Sequence, residues 1–170
     1  MTTQNIIGIT GWKNSGKTTL TEKLVTELVA RGYRIATVKH AHHEFDIDHE
    51  GRDSFRHRMA GASEVAIVSS RRWALIHELE GESEPPLNEV LARLSPCDLV
   101  IVEGYKREGH KKIEVRRKDA KDVIPLSPDD ASIIAIASDV EITDTKLPVF
   151  KVDDATAIAD FILATCVIPA

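Results

Sequence analysis

Residues 11–18, Gly-Trp-Lys-Asn-Ser-Gly-Lys-Thr, follow a pattern that cradles nucleotide phosphates: glycine, four residues, glycine, lysine and a hydroxyl residue. Successive backbone N–H groups must converge on phosphate oxygens, and glycine lets the chain turn that closely, which is the use of Gly11 and Gly16. Lys17 brings a point charge for the β and γ phosphates, and Thr18 a hydroxyl for Mg²⁺ at the positive end of the helix that follows. Asn14, Ser15 and Thr19 add donors, while Lys13 reads as a solvated loop lysine. Such a site draws a second magnesium anchor from a carboxylate at the C-terminal end of a neighbouring buried strand, and Glu103 closes the apolar run 99–102. Asp98 is the more usual residue type for this role. It opens the same strand, however, about five residues or ~16 Å away at the opposite edge of the sheet.

A second concentration of chemistry follows. Five of the seven histidines stand at 40, 42, 43, 49 and 57, interleaved with Asp46, Asp48 and Asp53. They suit three readings: a transition-metal site, protonatable contacts to an anionic substrate, or a polar loop. The spacing lacks the i, i+4 helical pair of a common zinc site and has no cysteine beside it, whereas Lys39 and Arg56 add positive charge that favours an anion. Lys39, His40, His42, His43, Asp46 and Asp53 therefore form a candidate substrate-proximal or phosphate-proximal set.

The phosphate-loop pattern requires a strand before it and a helix after it. Residues 5–10 are an apolar run, and Leu20, Leu24 and Leu28 then recur every four residues up to the stop signal Gly32. A second strand is expected over 33–38, which completes a βαβ unit with parallel strands. Residues 53–60 predict a short helix capped by Asp53, and 64–69 and 72–79 predict strands, the latter at an edge. Pro85 and Pro86 suit the start of a helix carrying Leu87, Val90, Leu91 and Leu94 on one stripe. Strands are expected over 98–102, 111–117, 133–137 and 149–152, then a closing helix capped by Asp153 or Asp154. The class is α/β: a P-loop NTPase fold, a mainly parallel sheet flanked by helices with a mixed or antiparallel edge.

The 170 residues carry no repeat or evident linker, so one nucleotide-binding domain over 1–170 is expected. A net charge of −5 argues against general nucleic-acid binding. Residues 1–8 hold no basic stretch ahead of an apolar core and no run approaches membrane-spanning length, so a cytoplasmic protein is expected. Cys97 and Cys166 read as reduced core residues.

The segments GWKNSGKTTL, KHAHHEFDIDHEGRDSFRHRMAGA (39–62), SSRRWAL, LVIVEGYK and IAIASDV (134–140) together resemble the molybdopterin-guanine dinucleotide biosynthesis adaptor proteins, the MobB family, over nearly the whole chain. The resemblance implies a homodimeric GTP-binding protein using Mg²⁺ that assists attachment of GMP to molybdopterin, working beside the molybdenum cofactor guanylyltransferase. It carries Gly11, Gly16, Lys17 and Thr18 to the nucleotide phosphates and Glu103 to the magnesium region. Lys39, His40, His42, His43, Asp46 and Asp53 are motif positions. The Asn-Lys-x-Asp guanine motif of better-known GTPases is absent. Asp139, after a buried strand, is the candidate substitute, since a carboxylate accepts both guanine N–H groups; the other reading is a turn aspartate before Val140. Hydrolysis is expected to be weak. Two rival functions use the same loop: a small-molecule kinase with Arg56, Arg58, Arg71 or Arg72 over its γ phosphate, and a metal-delivery GTPase built on the histidines.

Overall fold

A computed structural model describes residues 5–41, 45–122 and 124–166. In chain order these form β1 (Ile6–Thr10), α1 (Lys17–Ala30), β2 (Ile35–Lys39), α2 (Asp53–Met59), β3 (Glu64–Val68), β4 (Trp73–His77), α3 (Leu87–Ala92), β5 (Leu99–Glu103), β6 (Lys112–Arg116), β7 (Ile133–Ser138), β8 (Val149–Lys151) and α4 (Ala155–Cys166). They divide into two compact units: Met1–His40 with Leu87–Ala170, and Ala41–Pro86. The sequence reading places no boundary at 41 or 86, because neither junction is marked by a glycine-serine linker or a change in composition.

The first unit is a six-stranded parallel sheet in the order β2-β5-β1-β6-β7-β8. β5 is buried at every residue and β1 at all but Ile6, as expected of central parallel strands covered on both faces. α1 turns Leu20, Leu24 and Leu28 onto one face of the sheet, where they pack with Ile7, Ile9, Ile101 and Ile113 and with Ile158 and Ile162 of α4. Shortening Leu24, which is fully buried, to alanine would cost about 2–5 kcal/mol in lost transfer energy and cavity. The other face carries Val38, Val100 and Val102 against Leu87 and Leu91 of α3. α1 stops where the sequence reading expects: Gly32, at φ +92°, donates to Val29 O (2.9 Å) while the Tyr33 amide donates to Leu28 O (3.1 Å). Asp154 caps α4 by accepting from the Ala157 amide at 3.0 Å.

β6 departs from the usual meaning of an alternating strand. Both Lys112 and Glu114 are buried. Lys112 Nζ donates to Asp130 Oδ2 (2.9 Å) and to the Ser132 hydroxyl, while Glu114 accepts from the amides of Leu126 (2.7 Å) and Ser127 (3.1 Å) and from Arg116 (2.8 Å). Irregular backbone from 126 to 132 therefore meets β6 at this point, and the two buried charges supply the partners that its polar groups require.

The second unit holds α2 and the antiparallel pair β3–β4, in register from Glu64 opposite His77 to Val68 opposite Trp73. The antiparallel component expected at an edge is thus a separate two-stranded sheet. Asp53 does not cap α2: Arg52 occupies that position and makes no side-chain cap bond, leaving Asp53 in the first turn, where its charge still favours the helix dipole.

Candidate nucleotide site

Beyond Thr10 the chain turns through Gly11 (φ +146°), Asn14 (φ +64°) and Gly16 (φ +86°) before α1 begins at Lys17. A β-carbon on Gly11 would come within 2.6 Å of both Ser15 Oγ and Val115 O, so that position has no room for a side chain, while one on Gly16 would meet Arg117 Cδ at 3.0 Å and would be strained by the positive φ. No side chain caps α1. Its first amides, from Lys17 to Thr19, lack intrahelical acceptors and are free for an anion. Ser15 is buried with its hydroxyl unpartnered, an uncompensated polar group inside the loop that an oxygen-rich ligand would satisfy.

Register delivers the carboxylate. Ile9 of β1 and Lys39 of β2 both stand beside Glu103 at the end of β5. Thr18 Oγ1 donates to Glu103 Oε1 at 2.9 Å, and Lys39 Nζ lies 3.5 Å from the same oxygen. Lys17 Nζ donates to Trp12 O at 2.7 Å. Burial, followed by the charge of Lys106, holds the Lys17 ammonium below the usual lysine range; Glu103 pulls it back up and Lys39 adds to the depression. Lys106 Nζ sits over the Trp12 ring, 4.2 Å from its centroid, and burial lowers its pKa as well. Lys17 and Lys39 thus face one buried carboxylate at a helix N-terminus, and the Lys106 ammonium acts on Lys17 from the Trp12 side. This surplus of positive charge suits a polyanion, and the Thr18–Glu103 pair is the oxygen donor set suited to Mg²⁺.

Asp98 stands at the other end of β5. It accepts from the Arg34 amide at 2.6 Å and lies 3.4 Å from the Arg34 guanidinium, tying the start of β2 to that of β5. The amide bond is the main cause that holds its pKa down.

Asp139, following β7, accepts from Lys118 N (3.0 Å) and Arg117 Nε (3.1 Å). Burial pushes its pKa up, but these two donors outweigh burial and leave it below the usual carboxylate range. Arg117 is thus tied to Asp139, and its side chain lies alongside Gly16. Beside it opens a pocket of about 310 Å³ lined by Trp12, Arg117, Lys118, Ile124 and Val140.

The 39–62 set separates. The Lys39 ammonium reaches Glu103, and the His40 amide donates to Glu103 O at 2.9 Å with its ring 4.7 Å from that of Tyr105. His42 and His43 lie outside the described residues. Within the second unit Asp46 and Asp48 both accept from Arg58, at 2.7 and 2.8 Å, and Glu78 accepts from the same guanidinium at 3.1 Å. Among the described residues no three histidine, cysteine or acidic side chains gather around a common point.

The family model "Molybdopterin guanine dinucleotide synthesis protein B" matches residues 6–139. The chain belongs to the MobB family. It is 40% identical over 162 residues to the molybdopterin-guanine dinucleotide biosynthesis adapter protein of Haemophilus influenzae, covering 92% of this chain and 86% of that one. With the protein of the same name from Escherichia coli it shares 37% over 160 residues, covering 93% and 91%. A crystal structure titled molybdopterin-guanine biosynthesis protein B (mobB) superposes with a TM-score of 0.72 at 30% identity, covering 95% of this chain and 98% of that one.

Sequence reasoning missed Trp12, Lys106 and Arg117. Lys106 stands three residues after Glu103, and Arg117 directly follows β6. Position beyond a strand that borders β1 was the available signal.

Proposed function

We propose that this chain is a GTP-binding adaptor that assists conversion of molybdopterin to its guanine dinucleotide form, beside the molybdenum cofactor guanylyltransferase. The observation that carries the reading is the Thr18–Glu103 contact at 2.9 Å, set next to Lys17 in a glycine-turned loop, within a family whose relatives bear the adapter name. Gly11, Asn14, Ser15, Gly16, Lys17, Thr18 and Thr19 would hold the phosphates, and Thr18 and Glu103 the metal. Bound Mg²⁺ supplies charge neutralisation to β and γ oxygens. Asp139 would select guanine, which requires that its carboxylate exchange Arg117 for the base.

Hydrolysis is slow in this reading, on the order of 10⁻⁴ to 10⁻² per second, because the described residues include no glutamine to position a water at the loop. The proposed state is a cytoplasmic homodimer. Val68 and Trp73 are over two-thirds exposed on the β3–β4 pair, apolar surface that a second copy would cover. No helix among the described residues is long and apolar enough to cross a membrane. Calorimetric titration of the purified protein with GTP, ATP and molybdopterin, with and without Mg²⁺, tests the proposal. GTP binding that needs Mg²⁺ supports it; labelled phosphate passed to a small molecule would instead establish a kinase.

A further inference from the structure

The chain beyond β5 reverses sharply. Gly104 stands at φ +95° and Tyr105 at φ +46°, two successive residues in the left-handed region, one of them carrying a side chain that disfavours it. The turn is tightly constrained, for a β-carbon on Gly104 would meet His40 Cβ at 3.0 Å. Its product is the placement of Lys106. The ammonium rests on the face of Trp12, a residue of the phosphate loop, 4.2 Å from the ring centroid, and near enough to Lys17 to depress that ammonium's proton affinity. Asp122 is the carboxylate that acts on Lys106 in return, and its attraction does not outweigh burial.

Two desolvated ammonium groups held close together store repulsion that only an anion relieves. The Lys17 ammonium is itself held by the carbonyl of Trp12, so one residue carries both lysines, one on its backbone oxygen and one on its ring. Glu103, the acid that acts on Lys17, already accepts from Thr18 and faces Lys39. The geometry points to Lys106 as a second phosphate-binding lysine, stacked on Trp12 until a nucleoside triphosphate enters and then paired with its terminal phosphate.

This inference rests on the nucleotide reading above and adds a discriminating element, because a group aimed at the terminal phosphate senses triphosphate against diphosphate. A cation–π contact to an indole is weaker than a charge-assisted bond to phosphate, so the lysine can leave the ring when the phosphate arrives. Asp122 would keep it from leaving the site altogether in the free protein.

The test is calorimetry on the full chain with Mg²⁺, titrating GTP and GDP into wild type and into Lys106→Met, Lys106→Gln and Lys106→Arg. The expected result for Lys106→Met is about tenfold weaker GTP binding with GDP binding unchanged within about twofold, and Lys106→Arg should recover GTP to within about threefold. If Lys106→Met melts early, Lys106→Gln, which keeps the stem, is read in the same way. Equal loss for both nucleotides, or no loss for either, would overturn the proposal and leave Lys106 as a brace for the Trp12 loop. A wild-type chain that binds neither nucleotide would overturn the nucleotide reading itself, and this proposal with it.

Discussion

Two charge clusters, one in each unit, are composed in opposite ways. Around the phosphate loop three lysines, at 17, 39 and 106, meet two carboxylates, Glu103 acting on Lys17 and Lys39 and Asp122 on Lys106, and two of the lysines have proton affinities lowered chiefly by burial. Around Arg58 three carboxylates, Asp46, Asp48 and Glu78, share a single guanidinium, whose proton affinity is raised with the Asp48 bond as the main cause. The first cluster has more cation than it can neutralise and lies at the N-terminus of α1, where backbone dipoles add positive potential. The second pairs the terminal nitrogens of its cation with three acids and seats the guanidinium 5.3 Å from the Phe55 ring centre. A surplus of one sign, partly desolvated, marks a place for a ligand, whereas a cation outnumbered by acids of its own chain holds that chain together. Asp46 and Arg58, conspicuous in the sequence as possible substrate or lid residues, are engaged in the second way.

The contrast breaks most directly at Lys17. Lys17→Ala should weaken GTP binding by about 100-fold or more, roughly 2.7 kcal/mol, with an unchanged melting temperature, since the ammonium serves a ligand rather than the core. Unaltered affinity in calorimetry would remove the ligand-binding half of the comparison. At Glu103 the expected effect is about tenfold: Glu103→Gln should weaken the Mg²⁺ dependence of GTP binding, and Asp98→Asn, at the far end of the same strand, should leave it alone. Equal effects would mean that the two ends of β5 have been assigned the wrong way round.

Arg58→Met sharpens the other half. It strands Asp48, which is 5% exposed, without its cation, so hydrogen exchange in α2 and β3 should accelerate while GTP affinity stays within about twofold. A loss of affinity larger than the loss of protection would show that the guanidinium serves the nucleotide after all. The smallest effect belongs to His77, whose imidazolium is favoured first by Glu64 at 2.9 Å and then by Glu82. A histidine pKa raised by folding lends stability that is fully present below the ordinary histidine value and lost as pH rises through the folded value. Amide protection in β3 and β4 should therefore decline slightly between about pH 6 and pH 8, and His77→Gln should flatten that slope. A rising slope in the wild type would contradict the ion pair.

Much of the first unit is legible in the sequence. The glycine-lysine-threonine spacing located the loop, the four-residue leucine period located α1, and the apolar run 99–102 placed Glu103 at one strand end and Asp98 at the other. These readings succeed because they depend on local periods and on backbone conformations that few residue types adopt. The second unit was legible only as elements. Its strands and short helix were foreseen, but not their separation from the main sheet, since nothing in a strand's own residues states which strand will pair with it.

What tertiary structure alone decided is which charged residues meet. Lys106, Trp12 and Lys17 share a corner because β5 lies beside β1 and the turn at Gly104 carries the chain back toward the loop. Arg58 gathers acids 10, 12 and 20 residues away, and Lys112 and Glu114 are buried because the residues from 126 to 132 pack on them. In sequence each reads as an exposed charge. Burial and pairing depend on distances set by the fold, and a charge becomes a ligand contact or a brace according to how many opposite charges that fold brings within reach.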